Sequence, residues 1–256
     1  HDVTLEALAG DLRVGPAGTY FFDSLLLAAA AGRIHQRGTL VAPIVTLEGN
    51  IVNQEGLILS TRGFFKEGRI TLRGTEKVYT APGSLTSVLV TLDDALQHNS
   101  FQLKDAFITL ESGNLIDHQG EIIAPSGNVT LEAGQRVFLE NDSLIDVSGE
   151  WIDERADANF IEAALNSQEM RDEYGQKAGP LLGEIVRFNA LLGSSVGDLS
   201  GALTCEQVTA LEQATDGGEV IIKAGDGDII MKSGAVVDLS GGGWVYDEGY
   251  ATTTKV

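Results

Sequence analysis

Apolar and polar residues alternate in short runs along most of the chain. In "NVTLEA", Asn128 to Ala133, the residues Val129, Leu131 and Ala133 fall on one side of a period of two. That is the pattern of a strand with one face buried and the other wet. The runs are brief and close at glycine, so the pattern predicts many short strands joined by tight turns. From Glu150 to about Gly217 the alternation fades. There "DANFIEAALNSQEMRDEYG", Asp157 to Gly175, sets Phe160, Ile161, Ala164, Leu165 and Gln168 at helical spacing behind Asp157 as a cap. "TCEQVTALEQAT", Thr204 to Thr215, offers Thr204 as an N-cap with Gln207 at the capping-box position. The expected organisation is strand repeats over 1–149, a partly helical insert over 150–217, and resumed repeats over 218–256.

The repeats are visible as text. "GNVTLEAGQRVFLENDSLIDVSG", Gly127 to Gly149, lies over "GEVIIKAGDGDIIMKSGAVVDLSG", Gly218 to Gly241, with one extra residue in the later copy. "TLEGNIVNQEGLI", Thr46 to Ile58, lies over "TLESGNLIDHQGEI", Thr109 to Ile122, and "GRIHQRGTL", Gly32 to Leu40, is a shorter echo. A third, weaker "VGDLSG" stands at Val196 to Gly201, inside the insert. No unit is long enough to enclose a core, so each must stack on its neighbours. Units of roughly 20 residues match one coil of a β-solenoid, with coils joined by parallel pairing about 4.8 Å apart.

The recurring phrases "LIDVSG" and "VVDLSG" read as corner pieces. Asp146 and Asp238, with Ser148 and Ser240, are placed to hydrogen-bond nearby backbone in Asx and Ser turns. Gly149 and Gly241 are expected to supply a positive φ there.

Composition narrows the function. The chain has 256 residues, 31 Gly, 5 Pro and a formal charge of −20, which argues against nucleic acid and anionic membrane as partners. One cysteine, Cys205, excludes an internal disulfide framework. No signal peptide or membrane-spanning stretch is visible, and "SLLLAAAAG", Ser24 to Gly32, is too short to span. The chain reads as an interior segment of something longer.

"GNIVNQEGLI" is similar to the haemagglutinin repeat of filamentous-haemagglutinin-like exoproteins. The stretch from "APSGNVTLEAGQRVFLENDSLIDVSG" through "NSQEMRDEYGQKAGPLLGEIV" and "GDLSGAL" to "GGEVIIKAGDGDIIMKSGAVVDLSGGGWVYDEGYATTTKV" resembles one large group of them. The likeness covers about Thr109 to Val256 well and the first hundred residues loosely; "NSQEMRD", Asn166 to Asp172, departs from the group's phrase. The resemblance implies an all-β, right-handed parallel β-helix, exported through an outer-membrane two-partner secretion pore and displayed at the bacterial surface. It also implies adhesion to a host or neighbouring-cell glycan or protein. Near absence of cysteine fits export through a narrow pore.

Sites are few. His1, His35, His98 and His118 are scattered and read as solvated turn residues. Asp226 and Asp228 in "AGDGDII" raise Ca²⁺ as a cofactor, though a β-roll needs its nonapeptide in tandem and turn formation explains one copy. "WIDERAD", Trp151 to Asp157, reads as a solvated acidic loop. Trp151, Trp244 and Tyr246 flank the insert, where aromatics can stack on sugars or cover an interrupted edge. Parallel β-helices also carry polysaccharide-cleaving lyases and glycosidases, whose acidic groups Asp117, Asp146 and Asp238 would supply if they aligned. The expectation is a non-enzymatic adhesive segment with no catalytic residues; a polysaccharide-cleaving enzyme is the rival. A ligand-free filament or surface-layer scaffold, associating laterally, is the third reading.

Overall fold

A computed structural model describes residues 1–16, 18–92, 96–98, 101–166, 179–189, 192 and 207–249. The regular secondary structure of the described residues is almost wholly β-strand. They hold no α-helix, only a single 3-10 turn at Leu211–Gln213, and no helix long and apolar enough to cross a membrane. The chain divides into two compact units: His1–Asp94, Leu103–Glu150 and Ala210–Gly243 form unit 1, and Ala95–Gln102, Trp151–Thr209 and Trp244–Val256 form unit 2.

Unit 1 consists of two large parallel sheets between which the chain alternates. It is laid down in seven layers. The first holds Asp2–Glu6, Leu12–Val14 and Thr19–Phe21; the second Ser24–Gln36 and Thr39–Val41; the third Ile44–Gln54 and Leu57–Arg62. The fourth holds Gly68–Thr80 and Leu85–Val90, and the fifth Ala106–Ser112, Leu115–His118 and Glu121–Ile123. Asn128–Ala133, Arg136–Leu139 and Leu144–Asp146 make the sixth, and Glu219–Ala224, Ile229–Met231 and Val236–Asp238 the seventh.

Like residues stack on like. Leu5, Leu27, Leu47, Leu72, Leu110, Leu131 and Ile222 are successive register partners. A second column runs Leu12, Ile34, Val52, Val78, Ile116, Val137, Ile229. The third, in the other sheet, runs Tyr20, Leu40, Ile58, Thr86, Ile122, Ile145, Val237. Their interior members, Thr86 apart, belong to one continuous hydrophobic cluster. Burying each such side chain contributes about 2 kcal/mol, a gain available only when a neighbouring layer covers it.

The text repeats translate into register. Gly127–Gly149 and Gly218–Gly241 are adjacent layers, pairing Val129 with Val220, Ala133 with Ala224 and Asp146 with Asp238. The other pair is not adjacent: Thr46 and Thr109 both pair with Thr71, so one layer lies between the two copies.

Where the predicted helices fall on described residues, they are replaced by other structure. Phe160–Ala164 is a strand, antiparallel to Ile185–Asn189, with Ala163 opposite Val186 and Ile161 opposite Phe188. Ala163, Leu165, Val186 and Phe188 form a small buried cluster of unit 2. The local spacing fitted either period, since Ile161, Ala163 and Leu165 also alternate; the distant partner strand supplied the hydrogen bonds and apolar face that decided it. In the second predicted helix, Gln207–Val208 is a strand pairing Gln97–His98, followed by the 3-10 turn. Residues 167–178 and 193–206, hence most of "NSQEMRD", "VGDLSG", Cys205 and Thr204, lie outside the described residues.

Candidate contact surface

Two of the three flanking aromatics come together. Trp151–Glu154 and Gly243–Tyr246 form a two-stranded sheet. The Asp247 N–H donates to the Glu154 carbonyl at 2.8 Å, which sets Tyr246 beside Glu154 and Trp244 beside Ile152. Trp244 and Tyr246, two residues apart, share one face of their strand. Trp151, next to Ile152, projects to the opposite face. Trp151 is 64 % exposed and Trp244 46 %. Trp244 and the less exposed Tyr246, at 36 %, form on that strand face a partly open aromatic pair suited to stacking on a planar or sugar ring.

The corners hold their predicted hydrogen bonds. Asp146 Oδ1 accepts the Ser148 N–H and Asp238 Oδ1 accepts the Ser240 N–H, each at 2.9 Å. In the end layer the Ser240 backbone and hydroxyl hold the Asp238 carboxyl below the usual carboxylate range. The glycines act otherwise than expected, because neither Gly149 nor Gly241 has a positive φ. Gly149 is required by close approach: a Cβ there would overlap the Thr215 carbonyl oxygen and lie 2.5 Å from the Gly242 nitrogen. At Gly241 the nearest atom would be 3.9 Å away, an ordinary contact.

The recurring aspartates are divided between sheets. Asp146 and Asp238 stack as register partners in one, whereas Asp117 lies in the other, where Lys77 Nζ meets it at 2.7 Å. They do not line one active groove. Asp228 accepts from Arg136 Nη2 at 3.2 Å. Among the described residues no three His, Cys, Asp or Glu side chains converge as metal ligands.

Two buried polar features escaped the sequence reading. His118, expected in solvent, is fully buried. Its Nε2–H donates to the Leu144 carbonyl at 3.2 Å, and its Nδ1 accepts from Thr80 Oγ1 at 2.7 Å. Burial pushes its pKa down to about 4, against the pull of the Leu144 carbonyl and Asp117, so the ring is neutral. It ends an interior polar column of register partners, Gln36, Gln54, Thr80 and His118. Gln36 Nε2 reaches the Leu57 carbonyl at 3.1 Å and Gln54 Nε2 the Leu85 carbonyl at 3.2 Å, each tying its layer to the next. The signal was present: each glutamine and the histidine stand two residues before a glycine, at inward parity.

Arg62 is the second feature, 3 % exposed at the end of Leu57–Arg62. Nη1 donates to the Lys104 carbonyl at 3.2 Å and Nη2 to the Pro125 carbonyl at 2.5 Å. Its buried Nε has no hydrogen-bond partner. Burial pushes the guanidinium down to about 10, opposed by Asp105 and Glu150. Burial, and then Asp146, pushes the Glu150 carboxyl up, opposed by Arg62. The guanidinium clamps the segment returning at Lys104 to the corner at Pro125; it is closed to any substrate.

No protein-family model, curated protein or solved structure matches the chain.

Proposed function

We propose that the chain is a non-enzymatic structural and adhesive segment of a large bacterial surface exoprotein, with the two parallel sheets of unit 1 as walls of a right-handed β-helix. The three register columns carry this reading above all other observations. Stacking one layer type on another builds a stiff shaft at little ordering cost per added layer. The exposed Trp244 and Tyr246 face is the contact surface, and a host or neighbouring-cell glycan or protein is its ligand class. Export through an outer-membrane secretion pore and display outside the cell belong to the same proposal and rest on the family likeness.

The test is a glycan and protein array probed with the purified chain, run beside a reducing-end assay on polysaccharides. Retention without new sugar ends is the expected result, and Trp244→Ala should weaken it at least tenfold, the loss of about 1.4 kcal/mol expected for one aromatic contact. Release of new sugar ends would replace the adhesive reading with the lyase or glycosidase one. Absence of both binding and turnover would leave a scaffold.

A further inference from the structure

Two columns on the wet side of unit 1 repeat with a period of two layers. One runs Arg33, Ile51, Lys77, Leu115, Arg136 and its neighbour runs His35, Asn53, Tyr79, Asp117, Phe138, each residue being the register partner of the next. They occupy the second to sixth layers, so every member has a layer on either side of it. The second, fourth and sixth layers each set a cation beside a ring: Arg33 with His35, Lys77 with Tyr79, Arg136 with Phe138. The layers between them set Ile51 with Asn53 and Leu115 with Asp117. Like pairs therefore stand two strand spacings apart, about 9.6 Å.

The cations are open to an incoming group. Lys77 Nζ lies 5.1 Å from the centre of the Tyr79 ring and Arg136 Cζ 5.8 Å from that of Phe138. Lys77 meets Asp117 at 2.7 Å, and Arg136, 47 % exposed, gives Nη2 to Asp228 at 3.2 Å. Arg33 is exposed, and among the described residues its guanidinium has no hydrogen bond or ion pair. Across the two columns Arg33, Lys77 and Arg136 face the single carboxylate of Asp117, on a chain whose formal charge is −20. Exposed charges farther off than about 8 Å are largely screened at physiological ionic strength. An anion laid on the columns therefore meets the nearby cations more strongly than the distant carboxylates.

From this alternation we infer that the two columns bind a linear polysaccharide carrying a carboxylate on every second ring. Laid along the stack, an extended polysaccharide advances by close to one layer per sugar. Its carboxylates then fall at Arg33, Lys77 and Arg136, and the rings that bear them pack against His35, Tyr79 and Phe138. The uncharged rings between lie over Ile51 and Leu115. Asp117 stands in one of those intervening layers, where it accepts from the hydroxyls of an uncharged ring and repels a carboxylate. A polymer charged on every ring is disfavoured for that reason. The columns use neither Trp244 nor Tyr246, so this site stands or falls apart from the contact surface proposed above.

Calorimetric titration of the purified chain with three probes of equal length tests it: hyaluronan fragments, with a uronate on alternate rings; polygalacturonate fragments, with one on every ring; and neutral dextran. Hyaluronan should bind, the other two at least about tenfold more weakly, and added salt should weaken the hyaluronan complex. Arg136→Ala and Arg33→Ala should each weaken it about tenfold. Thermal melts check that both variants fold, and Arg33 has no partner in the fold to lose. Trp244→Ala should bind hyaluronan unchanged. Asp117→Asn frees Lys77 for either acidic polymer, so the ratio of the two affinities reads the repulsion by Asp117 alone and should shrink about tenfold. A wild-type chain that does not bind hyaluronan, or binds polygalacturonate equally well, overturns the inference. So does full affinity in both arginine variants, or an unchanged ratio in Asp117→Asn. Loss of binding in Trp244→Ala overturns it as well and moves the ligand to the aromatic pair.

Discussion

The sixth and seventh layers are written in nearly the same residues and lead different lives. Val137 and Leu139 are 0 % and 2 % exposed, while their register partners Ile229 and Met231 are 49 % and 53 % exposed. The corners diverge too. Asp146 and Asp238 make the same bond to a serine N–H, yet only Gly149 lies under a carbonyl that no Cβ can share. An inward-facing residue is buried by the layers on either side of it, not by its own strand. Among the described residues the seventh layer has one such neighbour and the sixth has two.

The contrast is broken most severely by emptying matched positions. Leu139→Ala should cost about 3 kcal/mol, the transfer loss plus the cavity left in a closed layer, while Met231→Ala should cost under about 1 kcal/mol because water already reaches the site. Chemical denaturation of the two variants measures both, and equal losses would mean that the seventh layer is as enclosed as the sixth.

His118 gives a comparable effect that depends on pH. Its folded pKa of about 4 lies below the ordinary 6.5, so the unfolded chain takes the proton first as pH falls. Stability is therefore fully present above the unfolded value and drains away as pH falls from 6.5 to 4, by at most about 3 kcal/mol. His118→Gln copies the glutamines beneath it in the column. The variant should stay folded at neutral pH and lose that part of the slope; subtracting its denaturation profile from the wild type's isolates the histidine from the carboxylates. Identical profiles would mean that the ring is solvated.

Smaller again is the difference between the corner glycines. Gly149→Val should destabilise by about 2 kcal/mol through the forced backbone shift, and Gly241→Val by no more than about 0.5 kcal/mol. Thermal melts of the pair decide it, and equal shifts would return the corner to a conformational explanation.

Much of unit 1 was legible in the chain itself. Period-two alternation marked the strands, and the alignment of Gly127–Gly149 on Gly218–Gly241 named true register partners. Such text is readable because parallel stacking asks the same question of each layer at the same position. Unit 2 was less legible. Phe160, Ile161, Ala164 and Leu165 satisfy a helix or a strand, and their partner Ile185–Asn189 lies beyond the reach of any local window. The contact surface was half legible: proximity of the aromatics to the insert was visible, but the face each one takes depends on strand register.

Sequence alone determined the layered β architecture, the Asx corners and the column of like residues, because these follow from side-chain period and turn chemistry, which are local. Tertiary structure decided that Arg62 and His118 are buried, that Gly149 has no room for a Cβ whereas Gly241 has, and that Trp151 turns away from Trp244. Each of those depends on which atoms of a distant segment arrive alongside, and a residue carries no record of the neighbour it will meet.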